Sequence, residues 1–271
     1  MSHATLPHVQ RARSSNAPSF RLAAGVSRGR GHRLTGQPGQ DAVAYGVGAP
    51  GTVVVALADG AGSRPRSHAG AALAVSTTTM ALLRATHDTL VPDQTWSPRT
   101  WKALVNTLVG DVRAALHDLA AREERPVGDY ASTLLAFVAT PHHVAALQIG
   151  DGHAVLQPTP NDPYTLLTKP QRGAYANVTT FVTSPGALDE VSTAVWNGPV
   201  QTLALASDGL DHHLIDPATR TGRDAFLDPL CAFTRRTPHA KRDAALSHFL
   251  ASARVQQATL DDLALVVAVA P

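Results

Sequence analysis

Five places in this chain of 271 residues set a carboxylate at the end of a short apolar run. Val53-Val54-Val55-Ala56-Leu57-Ala58 runs into Asp59-Gly60-Ala61-Gly62. Ala146-Leu147-Gln148-Ile149 runs into Gly150-Asp151-Gly152, and Leu203-Ala204-Leu205-Ala206-Ser207 into Asp208-Gly209. Asp41 precedes Ala42-Val43-Ala44-Tyr45, and Asp261-Asp262 precedes Leu263 to Val269. A single Asp-Gly is usually a hairpin turn. Five acidic strand ends spread over the chain call for a common reason. A carboxylate at the mouth of a buried strand is costly without a partner. Two of them ~4 Å apart repel by about 4 kcal/mol at an effective dielectric of ~20. A hard divalent cation removes both penalties. Oxygen-only ligation favours Mg2+ or Mn2+, suits Ca2+ less, and suits Zn2+ poorly.

The elements that must bring these carboxylates together follow from periodicity. Phe20 to Ser27, Ala42 to Tyr45 and Val53 to Ala58 read as strands. Ala69 to Leu90 is a weakly amphipathic helix, ended by Pro92. Ser97-Pro98 opens a stronger one, with Trp101, Leu104, Val105, Leu108, Val112, Ala115, Leu116 and Leu119 at spacings of three and four. Ser132 to Thr140, His143 to Ile149, His153 to Gln157 and Tyr164 to Thr168 are short strands on short turns, so they pair antiparallel. Lys169 to Glu190 is an irregular segment placed to act as a flap. Gln201 to Ser207 is a strand, Ala225 to Thr234 and His239 to Val255 are helices, and Leu263 to Val269 closes the chain. This order predicts an α+β fold: a four-layer α-β-β-α sandwich of two mainly antiparallel sheets, each flanked by a helix pair.

Residues 1–19 lack periodicity and read as a flexible N-terminal arm; residues 20–271 read as a single domain. Net charge is +2, and no apolar run approaches the ~20 residues of a membrane span. Cys231 is the only cysteine, so thiolate metal clusters and intramolecular disulfides are excluded, and a reducing cytoplasm is the expected setting. The stretch Arg28-Gly29-Arg30-Gly31-His32-Arg33 reads as a basic loop. One of its arginines suits an oxyanion, because guanidinium presents a planar fork to phosphate. The pairs His142-His143 and His212-His213 read as turn and surface residues.

Gln40-Asp41, Ala58-Asp59-Gly60-Ala61-Gly62, Ala131-Ser132-Thr133, Ile149-Gly150-Asp151, Ala206-Ser207-Asp208-Gly209-Leu210 and Asp261-Asp262 occur in the order found in the metal-dependent, type 2C serine/threonine protein phosphatases. The chain resembles that family over roughly residues 20 to 270. The segment Gly173 to Phe181 is similar to one in a bacterial subgroup. The resemblance implies two Mg2+ or Mn2+ ions, bridged by Asp59. The Gly60 carbonyl would bind one ion, Asp208 and Asp261 the other, and Asp41 would stand at the edge. Asp151 with Asp208 would hold a third, looser ion. Arg33 is the best match for the phosphate-binding arginine, with Arg28 and Arg30 as alternatives. The implied activity is hydrolysis of phosphomonoesters by a metal-activated water. The substrate would be a phosphorylated protein, the opposing partner a serine/threonine kinase, and neither nucleic acid nor membrane would be bound.

The chain departs from the family pattern at Gln40, where many relatives carry Glu, and at Ala61, where eukaryotic members carry His. Gly152 and Ala264 replace frequent hydroxyl residues. No core carboxylate is lost, so the resemblance implies an active enzyme. The rival reading is a phosphatase-fold sensing or scaffold module without turnover, supported only by Gln40 and Ala61. A metal-dependent nuclease or sugar-phosphate hydrolase shares the carboxylate logic, but a nuclease needs a basic groove that the charge balance does not supply.

Overall fold

Alternate side chains of the run Val53 to Ala58 go to two different cores. Val53, Val55 and Leu57 point one way, among Leu135, Phe137, Leu203 and Val266. Val54, Ala56 and Ala58 point the other way, among Ala71, Leu82, Trp101 and Val105. A strand buried on both faces reads as a continuous apolar run, and all six residues are buried.

The computed structural model describes residues 20–88, 96–170 and 179–271. The arm over residues 1–19 and the resembling segment over 173–178 lie outside the described residues. The chain begins with β1 (Arg21–Ser27), α1 (Arg30–Thr35), β2 (Ala42–Val47) and β3 (Val53–Ala58). The first helix pair is α2 (Ser67–Asp88) and α3 (Pro98–Arg122). A 3-10 turn at Val127–Tyr130 leads into β4 (Leu134–Thr140), β5 (His143–Ile149), β6 (His153–Gln157) and β7 (Thr165–Leu166). Then come α4 (Ala187–Glu190), β8 (Ser192–Asn197) and β9 (Thr202–Ala206). A 3-10 turn at Asp208–Leu210 and α5 (Asp211–Leu214) precede α6 (Asp224–Arg236), α7 (His239–Leu250), α8 (Ala253–Gln256) and β10 (Leu263–Val269).

Two five-stranded sheets form, ordered β1-β10-β9-β6-β7 and β2-β3-β4-β5-β8. Neighbouring strands run antiparallel in both. The sheets face each other across the core that holds Leu57, Phe137 and Val266. α2 and α3 cover the outer face of the second sheet. α6 and α7 cover the outer face of the first, where Leu227, Leu246 and Leu250 meet Leu265 and Val267. This is the four-layer α+β sandwich expected.

Some elements differ from the sequence reading. The basic stretch after β1 is the helix α1, not a loop. It buries no side chain, so periodicity carried no signal; its place is set by Gly31 N–H, which donates to the Leu260 carbonyl at 2.8 Å. β8 went unread because it is a partly exposed edge strand of mixed polarity. The last helical stretch stops at Leu250 and restarts as α8. Two of the four paired histidines are packed rather than superficial. His143 stands 5.5 Å from the Trp96 ring, and His213 stacks on Phe226 at 5.7 Å.

Trp101 anchors α3 in the core outside the second sheet. Its ring is fully buried, and its indole N–H donates to the Ala146 carbonyl at 2.8 Å. Trp101→Phe leaves that acceptor without its donor and a gap beside it. The expected cost is about 2 kcal/mol, or roughly 4–8 °C in Tm for a chain of this size. Thermal unfolding checks it, with Mn2+ affinity expected to stay unchanged.

Candidate metal centre

Strand register alone brings the acidic strand ends together. β2 pairs with β3 so that Ala42 faces Ala58; one step further, Asp41 faces Asp59. β6 pairs with β9 so that His153 faces Ala206; two steps further, Asp151 faces Asp208. β1 pairs with β10 so that Ser27 faces Leu263, which sets Arg28 opposite Asp262. The first of these pairings belongs to one sheet and the other two to its partner, so the carboxylates meet across the sandwich at one end.

Backbone ties fix each of them. Asp59 N–H donates to Thr133 Oγ1 at 2.9 Å, and Thr133 N–H donates back to the Asp59 carbonyl at 2.8 Å. Gly60 N–H donates to the Gln40 carbonyl at 3.2 Å. A Cβ on Gly60 would lie 2.9 Å from Ser67 backbone atoms at the start of α2, so the turn after Asp59 needs glycine. Gly150, at φ +105°, gives the turn before Asp151 its left-handed backbone.

Ser207 was quoted in the sequence only as part of a motif, yet it joins the sheets. Its hydroxyl donates to Asp41 Oδ2 at 2.8 Å and accepts from Ala264 N–H at 2.9 Å. One hydroxyl thus clips β9 to β10 and aims a carboxylate of the other sheet. Only its position between a buried strand and Asp208 hinted at this.

Asp261 and Asp262 divide two roles. Asp262 is 2% exposed. Its oxygens accept the backbone N–H groups of Gly29 and Gln40, and His32 Nδ1 stands 3.0 Å away. It is a structural carboxylate. Asp261 is exposed, and its charge acts on Asp41, Asp59 and Asp208.

The electrostatics show how close the cluster is. Burial raises the Asp41 carboxyl well above its ordinary range, and the charges of Asp262 and Asp261 add to this. Asp59 is raised by burial, then by the charges of Asp41, Asp208 and Asp261. Asp208 is pushed up to about 6 by burial and by the charges of Asp151 and Asp261. Asp59 thus feels the charge of Asp41 in its own sheet and of Asp208 in the other. Carboxylates that raise one another in this way are relieved by a proton or by a cation.

The donor set fits a hard cation. Asp41 Oδ1, Asp208 Oδ1 and Gln40 Oε1 are buried and lack hydrogen-bond partners; all are oxygens, as Mg2+ and Mn2+ prefer. Among the described residues, no group of three or more His, Cys, Asp or Glu side chains is arranged to hold a metal ion by itself, so a bound cation would take part of its shell from water, as magnesium-type sites do.

The other expected residues fall as follows. Asp151 Oδ2 accepts from Thr179 Oγ1 at 2.7 Å, so the residue after the undescribed part of the flap region touches this carboxylate. Arg33 is exposed, with its guanidinium engaged by the Arg28 carbonyl and by Gln256 Oε1 at 2.9 Å. Arg30 is exposed in a surface cleft beside it. Arg28 donates from Nη2 to the His32 carbonyl at 2.7 Å, while its Nε is buried without a partner. The geometry therefore does not single out Arg33 for phosphate, the first choice from sequence: Arg33 bonds two neutral oxygens, Arg28 bonds one and keeps a buried Nε without a partner, and Arg30 is exposed.

A sequence profile described as Protein phosphatase 2C matches residues 28–251. Serine/threonine-protein phosphatase 3 of Escherichia coli (strain K12) is 28% identical over 258 residues, spanning 92% of this chain and 98% of that protein. The catalytic domain of serine threonine protein phosphatase PstP, solved in complex with 2 manganese ions, superposes with a TM-score of 0.59 at 20% identity, over 93% of this chain and 98% of that one. PppA of Pseudomonas aeruginosa, titled a key regulatory component of T6SS, gives 0.59 at 21% identity, over 94% and 99%. At these identities the structural matches speak for the fold.

The raised carboxyls set the pH dependence of the metal-free protein. A group whose folded pKa lies above its unfolded value contributes stability below the unfolded value and loses it as pH rises through the folded one. For Asp208 that window runs from the ordinary 3.8 to about 6, and Asp41 and Asp59, raised in the same direction, act with the same sign. The Tm of metal-free protein is expected to fall as pH rises across this window. Mn2+ at about 100 times its Kd should restore about 2.7 kcal/mol, most visibly at the alkaline end. Thermal melts with chelator and with Mn2+ check this; parallel curves would count against cation binding here.

Proposed function

We propose that this chain, which belongs to the protein phosphatase 2C family, hydrolyses serine and threonine phosphomonoesters of proteins at the cross-sheet carboxylate cluster. The observation that carries the assignment of the site is the strand register that sets Asp41 opposite Asp59 in one sheet and Asp151 opposite Asp208 in the other, with buried Asp41 and Asp208 oxygens that lack partners; the charges of Asp41 and Asp208 both act on Asp59. The family is metal-dependent, and two Mg2+ or Mn2+ ions suit this donor set.

Asp59 and the Gly60 carbonyl would hold one ion. Asp59, Asp208 and Asp261 would hold the second, with Asp41 at the edge. Asp151 and Asp208 would hold a third, looser one. When bound, such ions supply a water acidic enough to attack phosphorus near neutral pH and offset the charge of the phosphoryl oxygens. The chain's own residues do the rest. Thr133 and Ser207 keep Asp59 and Asp41 in line. Gln40 adds a neutral oxygen. We assign the phosphate grip to Arg28, whose Nε has no partner and which continues β1 opposite Asp262. Ala61 offers no proton to the leaving group, so that proton comes from solvent or from the substrate's surroundings. The opposing partner is a serine/threonine kinase.

The test is hydrolysis of p-nitrophenyl phosphate and of a phosphothreonine peptide with Mn2+, with Mg2+ and with chelator. Turnover should need metal and fall by about 100-fold or more in Asp59→Asn and Asp208→Asn. Ser207→Ala should need roughly ten-fold more Mn2+ for half-maximal rate, as expected when a ligand loses its orienting partner. A folded wild type without turnover in any metal would sink the catalytic assignment in favour of the sensing module.

A further inference from the structure

The two most exposed large apolar side chains in the described structure are Leu34, 83% exposed, and Leu260, 61% exposed. Both adjoin α1, Leu34 as one of its residues and Leu260 through Gly31. Gly31 N–H donates to the Leu260 carbonyl, and a Cβ on Gly31 would lie 3.7 Å from Leu260 Cβ. Leu34 follows Gly31 by three on α1, so both lie on one helix face. Beside them is a surface cleft of about 560 Å³ between α1 and α8, lined by Arg30, Arg33, Leu34, Ala253, Gln256 and Gln257 among others.

The lining carries two guanidinium groups and no carboxylate. Neither arginine enters an ion pair among the described residues. Arg33 bonds only neutral oxygens, those of Arg28 and Gln256, so its charge is uncompensated and donors remain to spare. The cleft also adjoins the carboxylate cluster. A Cβ on Gly29, just before α1, would lie 2.4 Å from the Asp261 carbonyl oxygen. α1 therefore stands on the backbone of Asp261. Its six residues span about 9 Å, which an extended peptide crosses in roughly three residues.

We propose that this cleft receives the stretch of a protein substrate flanking its phosphorylated residue, and that it selects stretches carrying Asp or Glu together with a large apolar side chain. The arginines meet the acidic groups, and Leu34 and Leu260 cover the apolar one. The proposal rests on the phosphatase reading and adds the class of substrate to it.

The test compares phosphothreonine peptides that differ only within about three residues on either side of the phosphorylated one: Asp with Leu, Ala only, or Lys with Leu. Wild type should favour the acidic peptide over the basic one by roughly five-fold or more in kcat/KM, mainly through KM, as two exposed charge pairs allow. The preference should shrink with added salt. The double variant Leu34→Glu, Gln257→Glu changes two exposed positions. It should abolish the preference and leave p-nitrophenyl phosphate hydrolysis unchanged. Equal kcat/KM for the three peptides in wild type, or a preference that survives in the variant, would overturn the proposal. If wild type hydrolyses no ester with any metal, the phosphatase reading fails separately. Fluorescence anisotropy of the labelled peptides then decides the cleft: tighter binding of the acidic peptide by wild type than by the variant supports it, and equal binding overturns it.

Discussion

Carboxylates from two sheets converge at one end of the sandwich, and their mutual repulsion is the constraint that the surrounding structure must overcome. Each pair at ~4 Å opposes folding by about 4 kcal/mol at an effective dielectric of ~20, a large fraction of the stability of a typical domain. The supports are correspondingly stiff. β3, β4 and β10 are buried along their whole length, so their ends cannot shift without opening a core on either side. Thr133 clasps Asp59 from both directions. Ser207 ties Asp41 of one sheet to the β9–β10 junction of the other. The sandwich acts as a frame that holds like charges together until a cation arrives.

Two adjacent aspartates illustrate how that frame is kept separate from the chemistry. Asp262 turns inward and gathers the N–H groups of Gly29 and Gln40, with His32 alongside. It thereby holds α1 and the start of β2 against β10. Asp261 remains exposed and bears on the cluster through its charge. Successive residues entering a strand face opposite ways, so one step in sequence separates a carboxylate that builds the site from one that faces it. Removing Asp262 would therefore free the backbone N–H groups of Gly29 and Gln40, whereas removing Asp261 would take a charge from the cluster, a distinction that residue type alone does not reveal.

The strand-end carboxylates, the strong helix α3 and the four-layer order were legible in the sequence because each depends on local pattern. A doubly buried strand must be apolar throughout, and a helix covering a sheet must repeat at three and four. What escaped depends on non-local contact. α1 buries none of its side chains and is placed by Leu260, more than two hundred residues away. β8 is an edge strand whose mixed residues carry no alternation strong enough to read. The role of Ser207 requires the register of three strands and the packing of two sheets. The choice among Arg28, Arg30 and Arg33 stays open in the sequence for the same reason: what distinguishes their surroundings is the carbonyl of Arg28 and the amide of Gln256, which no spacing in the basic stretch foretells.

Gln40 makes sense within the same electrostatic frame. Its backbone is already committed, N–H to Asp262 and carbonyl to Gly60. Its side-chain oxygen is buried without a partner. A carboxylate at this position would add another negative charge to a cluster in which Asp41, Asp59 and Asp208 already have raised pKa values. The amide keeps an oxygen there and leaves the charge out. It thereby lowers the repulsion that the metal-free fold must withstand, at the expense of attraction for the cation. The departure from the family pattern is thus a shift along one balance, between tolerance of the empty cluster and grip on the filled one.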